Sequence, residues 1–418
     1  MLLLLLGGIA GPARAQQQDP LTARAETLVG LFNGTSQPET LFSPAFLAQV
    51  PSAQVKAITA QLRAQLGSAR RLDRLERASA NAGAVFLDFE RGTLQLNLAI
   101  DPQPPHLIQG LLVVDSEVKG DSLARIIEEL KALPGQTSLA VARLGDGTPA
   151  PLAGHEVGKA MAVGSVFKLF ILAELDQSIR AGERKWSDVA ALTHHSLPSG
   201  FLQQWPLGSP LTLQSLAALM ISQSDNSATD TLLHLLGREK VDAMMAAVGV
   251  AAPGRNRPFL STVEAFALKG GDPTLGEAWV AGGEAERRAL LGRLADMPLD
   301  RIDIARLNTQ PNLIGSVEWF FSGEDMVRML DWLRRNGSKE TLEIVAINPG
   351  IARPAAARFD YVGYKGGSES GVIAMSFLLR SKGGTWHAVS ASWNNTAAKL
   401  DESRFVPLVA RAVALLAD

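Results

Sequence analysis

The chain has 418 residues, 46% hydrophobic and 20% charged, a globular balance that excludes a wholly disordered chain and suggests two domains. Lysine and arginine number 40 against 42 acidic residues, so no basic field exists to hold nucleic acid. Cysteine is absent, which excludes disulfides, thiolate nucleophiles and thiolate-held metals. The histidines show no H-E-x-x-H spacing, and no metal or other cofactor is expected.

Residues 1–15 read as a signal peptide: a leucine run, small residues, then the A-x-A triplet Ala13-Arg14-Ala15. The run is too short for a membrane span. The expected location is the bacterial periplasm or the exterior.

From Asp19 onward, "LTARAETLVGLF" and "SAQVKAITAQLRAQL" carry apolar residues at three- and four-residue spacing and predict helices. The period then changes. "RRLDRLERAS", "AGAVFLDFE", "GTLQLNLAI" and "HLIQGLLVV" are short strand-like runs parted by turn residues. Helices followed by a four-stranded meander predict a small α+β domain over 19–115. Its layout resembles the cone-shaped fold of nuclear transport factor 2 (NTF2) and the steroid isomerases. Asp88 and Glu90 are expected on the solvent face of a strand.

A linker over Val114–Ser122 closes this unit, and a second domain is expected over 120–418. It opens with the helix "SLARIIEELKAL" and the strand "TSLAVARL". A long helical middle follows, to about Asn336. The strands "GVIAMSFLLR" and "TWHAVSASW" and the amphipathic helix "SRFVPLVARAVALLA" end it. The pattern implies α+β and α/β architecture: a sheet of chain-distant strands, flanking terminal helices and an inserted helical subdomain.

Three motifs carry chemistry. Ser-x-x-Lys occurs twice, at Ser116–Lys119 in the expected linker and at Ser165–Lys168. Only the second opens an apolar helix, "GSVFKLFIL". There the first turn leaves backbone N–H groups unpaired at the positive end of the dipole. A buried Lys168 would lose its charge and could accept the Ser165 proton. Ser224-Asp225-Asn226 comes next, in a position that also suits a helix cap. Lys365-Gly366-Gly367-Ser368 leads into an apolar strand, and its glycines would let a ligand approach closely. Lys-Gly-Gly also occurs at Lys269 and Lys382.

The ordered set Ser-x-x-Lys, S-D-N and K-G-G-S resembles the penicillin-recognising serine hydrolases, the class A β-lactamases and their penicillin-binding relatives. The resemblance covers roughly residues 120–418. It implies a β-lactamase/transpeptidase-like fold behind the NTF2-like domain, as in two-domain β-lactamase-like proteins of clavulanic acid clusters. It makes Ser165 the acylated nucleophile, Lys168 its base and Ser224 a proton relay. Asn226 would bind the substrate amide and Lys365 a substrate carboxylate. The backbone N–H groups of Ser165 and Ser368, the residue after Gly367, would form the oxyanion hole. Asp225 is expected to tie backbone together. Trp205 and Ser370 are candidates to flank the cleft, with a packing role for Trp205 and a plain turn position for Ser370 as the alternatives.

The sequence also departs from that family. No Glu-x-x-Leu-Asn string supplies a base for deacylation. Glu264 completes a capping box with Ser261, and Asp303 stands one residue away from the needed place. Gly366 replaces a threonine and removes a hydroxyl beside the substrate carboxylate. The implied activity is acyl-enzyme hydrolysis of a small-molecule β-lactam or a related amide or ester, with slow deacylation. An esterase, a D-Ala-D-Ala peptidase or a non-turnover binding protein are the alternatives. The chemistry requires Ser165, Lys168, Ser224 and Lys365 to converge in one cleft.

Overall fold

The computed structural model describes residues 19–295 and 297–417. The expected signal peptide lies outside the described residues. The chain falls into two compact units, one ending at Gly120 and the other beginning at Asp121.

The first unit contains α1 (Pro20–Asn33), α2 (Pro38–Leu41), α3 (Pro44–Gln49) and α4 (Ser52–Leu66), followed by β1 (Ala69–Arg77), β2 (Ala82–Phe89), β3 (Gly92–Ile100) and β4 (Ile108–Val118). Asp19 caps α1 by accepting from Thr22 N, with Pro20 in the first turn, and Gly34 ends the helix in the left-handed region at φ 74°. The four strands form an antiparallel meander in chain order. Leu94, Leu96, Leu98 and Ile100 alternate inward from β3 and share one core with Leu21, Leu28 and Phe32 of α1. Asp88 lies on the less buried face of β2 and pairs with Lys119 at 2.9 Å.

The expected linker over Val114–Ser122 is largely strand. Glu117 and Val118 pair with Thr93 and Gly92, so β4 runs past residue 115. A side chain at Gly92 would strike the Glu117 carbonyl, and glycine there permits the close pairing. Ser116 of the first Ser-x-x-Lys copy therefore belongs to a ladder rather than to a linker.

The second unit begins with α5 (Leu123–Lys131), β5 (Gln136–Leu144), β6 (Ala150–His155) and β7 (Met161–Ala162). A 3₁₀ turn over Gly164–Phe167 leads into α6 (Lys168–Arg180). The helical middle holds the short pair β8 (Val189–Ala191) and β9 (Pro210–Thr212), then α7 (Leu213–Ser222), α8 (Asn226–Leu236), α9 (Arg238–Val248) and α10 (Thr262–Gly270). It continues through α11 (Pro273–Ala281), α12 (Glu284–Ala295), α13 (Ile304–Thr309), β10 (Phe320–Phe321), α14 (Gly323–Asn336), α15 (Lys339–Ala346) and α16 (Arg353–Ala356). β11 (Phe359–Glu369), β12 (Val372–Ser381), β13 (Trp386–Asn394) and α17 (Glu402–Ala414) complete it.

Five antiparallel strands form one sheet in the order β11-β12-β13-β5-β6. β5 from the start of the unit thus pairs with β13 near its end. Side-chain alternation divides the sheet between two cores. Leu139, Val141, Ile373, Met375 and Phe377 pack with Ile126 and Leu130 of α5 and with Phe405 and Val409 of α17. Ala140, Ala142, Ala374, Leu378 and Ala388 face the helical subdomain. Small residues on that face let helices approach; Gly323 of α14 abuts the Ala140 methyl group. This is an antiparallel sheet with flanking helices and a helical subdomain, the β-lactamase/transpeptidase-like arrangement.

Two strands of the five-stranded sheet exceed the sequence reading. β6 has no apolar run to announce it. Lys365–Ser368 lie inside β11, an edge strand, rather than ahead of a strand. Their glycines lower strand propensity, and pairing with Ser376 through Ile373 supplies what local preference lacks.

Candidate active site

α6 carries a fully buried lysine in its first turn. Lys168 has no exposed surface, and its Nζ makes three hydrogen bonds, with Ser224 O at 2.6 Å, Ser224 Oγ at 3.1 Å and Asn226 Oδ1 at 2.6 Å. All three partners come from the S-D-N segment. Burial, and then the charge of Lys365, push its pKa well below the usual lysine range. One turn earlier, Ser165 is half-buried and opens on a cavity of about 530 Å³.

The S-D-N segment divides its labour. Asp225 caps α8 by accepting from Ala228 N, and its other oxygen accepts from Phe201 N and Leu202 N. It ties backbone together, and Gly200 packs so tightly on it that a side chain there would collide. Ser224 takes a left-handed conformation, φ 55°, which only glycine adopts without cost. That turn aims Ser224 and Asn226 at Lys168 together. Asn226 also donates to Leu197 O at 2.9 Å, which fixes its amide.

β11 supplies the third side. Lys365 is buried and donates to Ser224 Oγ at 3.0 Å and to Gly366 O at 2.6 Å. Burial lowers its pKa to about 7. The Ser224 hydroxyl therefore bridges two lysine nitrogens. Two ammonium ions so close repel each other in a low-dielectric site, which favours one neutral amine. Gly367 faces the same way as Lys365, and a side chain on it would strike the Ser165 amide. A Cβ at Gly164 would lie 3.2 Å from Ser368 N, so the Ser165 and Ser368 amides stand side by side.

The cavity wall includes Ser165, Ser224, Asn226, Lys365, Gly367 and Ser368. Lys168 lies behind the wall, and two further expected residues fall outside it. Trp205 is 41% exposed and leans on Phe201 instead of facing the cavity. Ser370 is buried in the turn after β11, and its Oγ has no hydrogen-bond partner. The near misses are also elsewhere occupied. Glu264 closes the Ser261 capping box and pairs with Arg238 at 2.7 Å, and Asp303 caps α13.

Other residues at the cavity escaped the sequence reading. The Tyr364 hydroxyl stands where a Cβ on Gly366 would be, so the phenol fills the place of the missing threonine. Burial raises its pKa to about 12, and it stays protonated and able to donate. Lys269 of α10 bonds Glu318 and Glu369 at 2.5 Å each. Burial opposes its charge, but the two carboxylates outweigh burial and hold it protonated. Glu369 directly follows the K-G-G-S motif. Lys269 had only a chance Lys-Gly-Gly to mark it, and Glu318 had no local signal.

A model of the beta-lactamase enzyme family matches residues 121–337, just over half of the 418. The chain belongs to the beta-lactamase enzyme family. The matched stretch of this beta-lactamase-family protein contains Ser165, Lys168, Ser224 and Asn226 but stops before β11. Among solved structures, a beta-lactamase from Sphaerobacter thermophilus shares 20% identity over 70% of this chain and 95% of its own, with a TM-score of 0.48. One from Chitinophaga pinensis shares 17% over 71% and 97%, also at 0.48. The structure of PBP-A shares 13% over 70% and 93%, at 0.49. No curated protein sequence matches. No helix among the described residues is long and apolar enough to cross a membrane.

Proposed function

We propose that this beta-lactamase-family protein is a secreted serine hydrolase that acylates Ser165 with β-lactams or related amides and esters. The carrying observation is the Ser224 hydroxyl held between Lys168 Nζ and Lys365 Nζ in the cavity onto which Ser165 opens. Neutral Lys168 takes the Ser165 proton as Oγ attacks the substrate carbonyl. The Ser165 and Ser368 amides receive the developing oxyanion, a service worth about 3–4 kcal/mol per donor in known hydrolases. Ser224 passes a proton to the leaving nitrogen. Protonated Lys365, with the Tyr364 hydroxyl in place of the absent threonine, holds a substrate carboxylate. Asn226 orients the substrate amide and Lys168.

The first unit, with its helices on a four-stranded meander, is proposed as NTF2-like. Residues 1–15 are proposed as an export signal that delivers the protein to the periplasm or beyond. Mixing pure protein with a fluorescent penicillin and weighing the intact chain tests the main reading. A covalent adduct on wild type that Ser165→Ala lacks is expected. An absent adduct, or an equal one on Ser165→Ala, overturns it. Parallel rates on nitrocefin, p-nitrophenyl esters and stem peptides separate a lactamase from an esterase or a D-Ala-D-Ala peptidase.

A further inference from the structure

The cavity holds a second ionic cluster that acylation does not use. On β11, residues two apart share a face. Lys365 reaches Ser224, Gly367 abuts the Ser165 amide, and Glu369 is next on that face. The nucleophile thus stands between two acid–base groups. Lys168, Ser224 and Lys365 form one. Glu369, Lys269 and Glu318 form the other, and all three members line the same cavity. Lys269 and Glu318 are 2% exposed, whereas Glu369 keeps 20% of its side chain open. Glu318 is further held by Trp319 N at 3.1 Å. Glu402, also at the wall, acts on Tyr364 and not on Glu369.

An ester on Ser165 needs an activated water to leave. We propose that Glu369 is the base that activates this water, with Lys269 and Glu318 as the residues that position it. This rests on acylation at Ser165. The water oxygen bonds the ester carbonyl carbon while its proton goes to the Glu369 carboxylate. The oxyanion forms between the Ser165 and Ser368 amides. It collapses by breaking the carbon–Oγ bond, and Oγ takes up the proton that Glu369 accepted, so that the carboxylate returns to its ionised state and Lys168 stays neutral. The free acid departs and Ser165 is regenerated, with no change of oxidation state. With Lys269 charged and both carboxylates ionised, the cluster bears one net negative charge in a buried place. Accepting the water proton neutralises it, which makes it an effective base. Once protonated, Glu369 can share that proton with Glu318, and burial together with that neighbour raises its pKa well above the carboxylate range. The charged groups facing it are Lys269 from α10 and Glu318 from the segment before β10, with Lys365 on its own strand.

The test follows adduct formation and adduct loss separately on the full chain, by intact mass after a pulse of fluorescent penicillin. Wild type should form the adduct and clear it faster as pH rises through the neutral range. Glu369→Gln should form the adduct but clear it about 10²–10⁴-fold more slowly, with the pH rise gone. Glu369→Asp, which keeps the carboxylate and guards against a folding defect in Gln, should retain the pH rise at a reduced rate. Clearance by Glu369→Gln at the wild-type rate overturns the assignment. So does loss of acylation in step with deacylation, or a wild-type adduct that never clears. An adduct absent from wild type, or present equally on Ser165→Ala, instead fails the acylation reading beneath it.

Discussion

Ser116–Lys119 and Ser165–Lys168 have the same spacing and opposite surroundings. Ser116 lies in β4 and Lys119 in the turn that follows it, where Lys119 reaches out to Asp88 with 57% of its side chain exposed. At the entrance to α6 the same spacing places serine and lysine on one face, and Lys168 is wholly buried against Ser224 and Asn226. A motif acts through the periodicity of its element and the groups brought against it. The Lys119–Asp88 pair is a surface ion pair, of small effect on stability. The Lys168 site trades charge for basicity.

The comparison breaks most plainly at the serines. Ser165→Ala should lower turnover by roughly 10⁶-fold, the scale of losing a nucleophile, while Ser116→Ala leaves it unchanged. Steady-state rates on nitrocefin read both. Next come the lysines. Lys168→Met should slow acylation by about 10²–10⁴-fold, measured by pre-steady-state adduct formation, and Lys119→Met should not. If both lysine variants acylate normally, burial at Lys168 has no catalytic use.

Smaller effects sharpen the contribution of β11. Tyr364→Phe removes one donor from the proposed carboxylate pocket and should raise KM for a penicillin about 10–100-fold, with little change for a neutral ester. Lys365 carries the other part. Its pKa of about 7 lies below the free value of 10.5, so the charge is present at lower pH and lost as pH rises through 7. KM for a carboxylate-bearing substrate should therefore climb above pH 7, and KM for p-nitrophenyl acetate should stay flat. The smallest effect belongs to Lys119→Met, a stability loss of at most about 1 kcal/mol in urea melts, reduced further by salt.

Much of the molecule was legible in order and type. Alternating leucines in "GTLQLNLAI" predicted β3, and the run "GVIAMSFLLR" predicted β12, because a strand buried on one or both faces writes its burial into the sequence. Asp225 was readable as a backbone tie because short acids cap helices. Trp205 stayed open between a cleft and a packing role because an aromatic near a motif says nothing of the direction it faces. β11 was read one element too late, since "YKGGSE" has weak strand preference and its pairing with β12 is a long-range fact.

The sequence by itself determined the nucleophile candidate, its lysine neighbour and the order of the three motifs, since those rest on local spacing and helix periodicity. Only the tertiary structure decided that Ser224 bridges Lys168 and Lys365, that Tyr364 fills the space above Gly366, and that Lys269, Glu318 and Glu369 meet at the cavity. Those groups come from separate helices, a loop and an edge strand. Their charges are set by burial and by one another, and neither exists until the chain has folded.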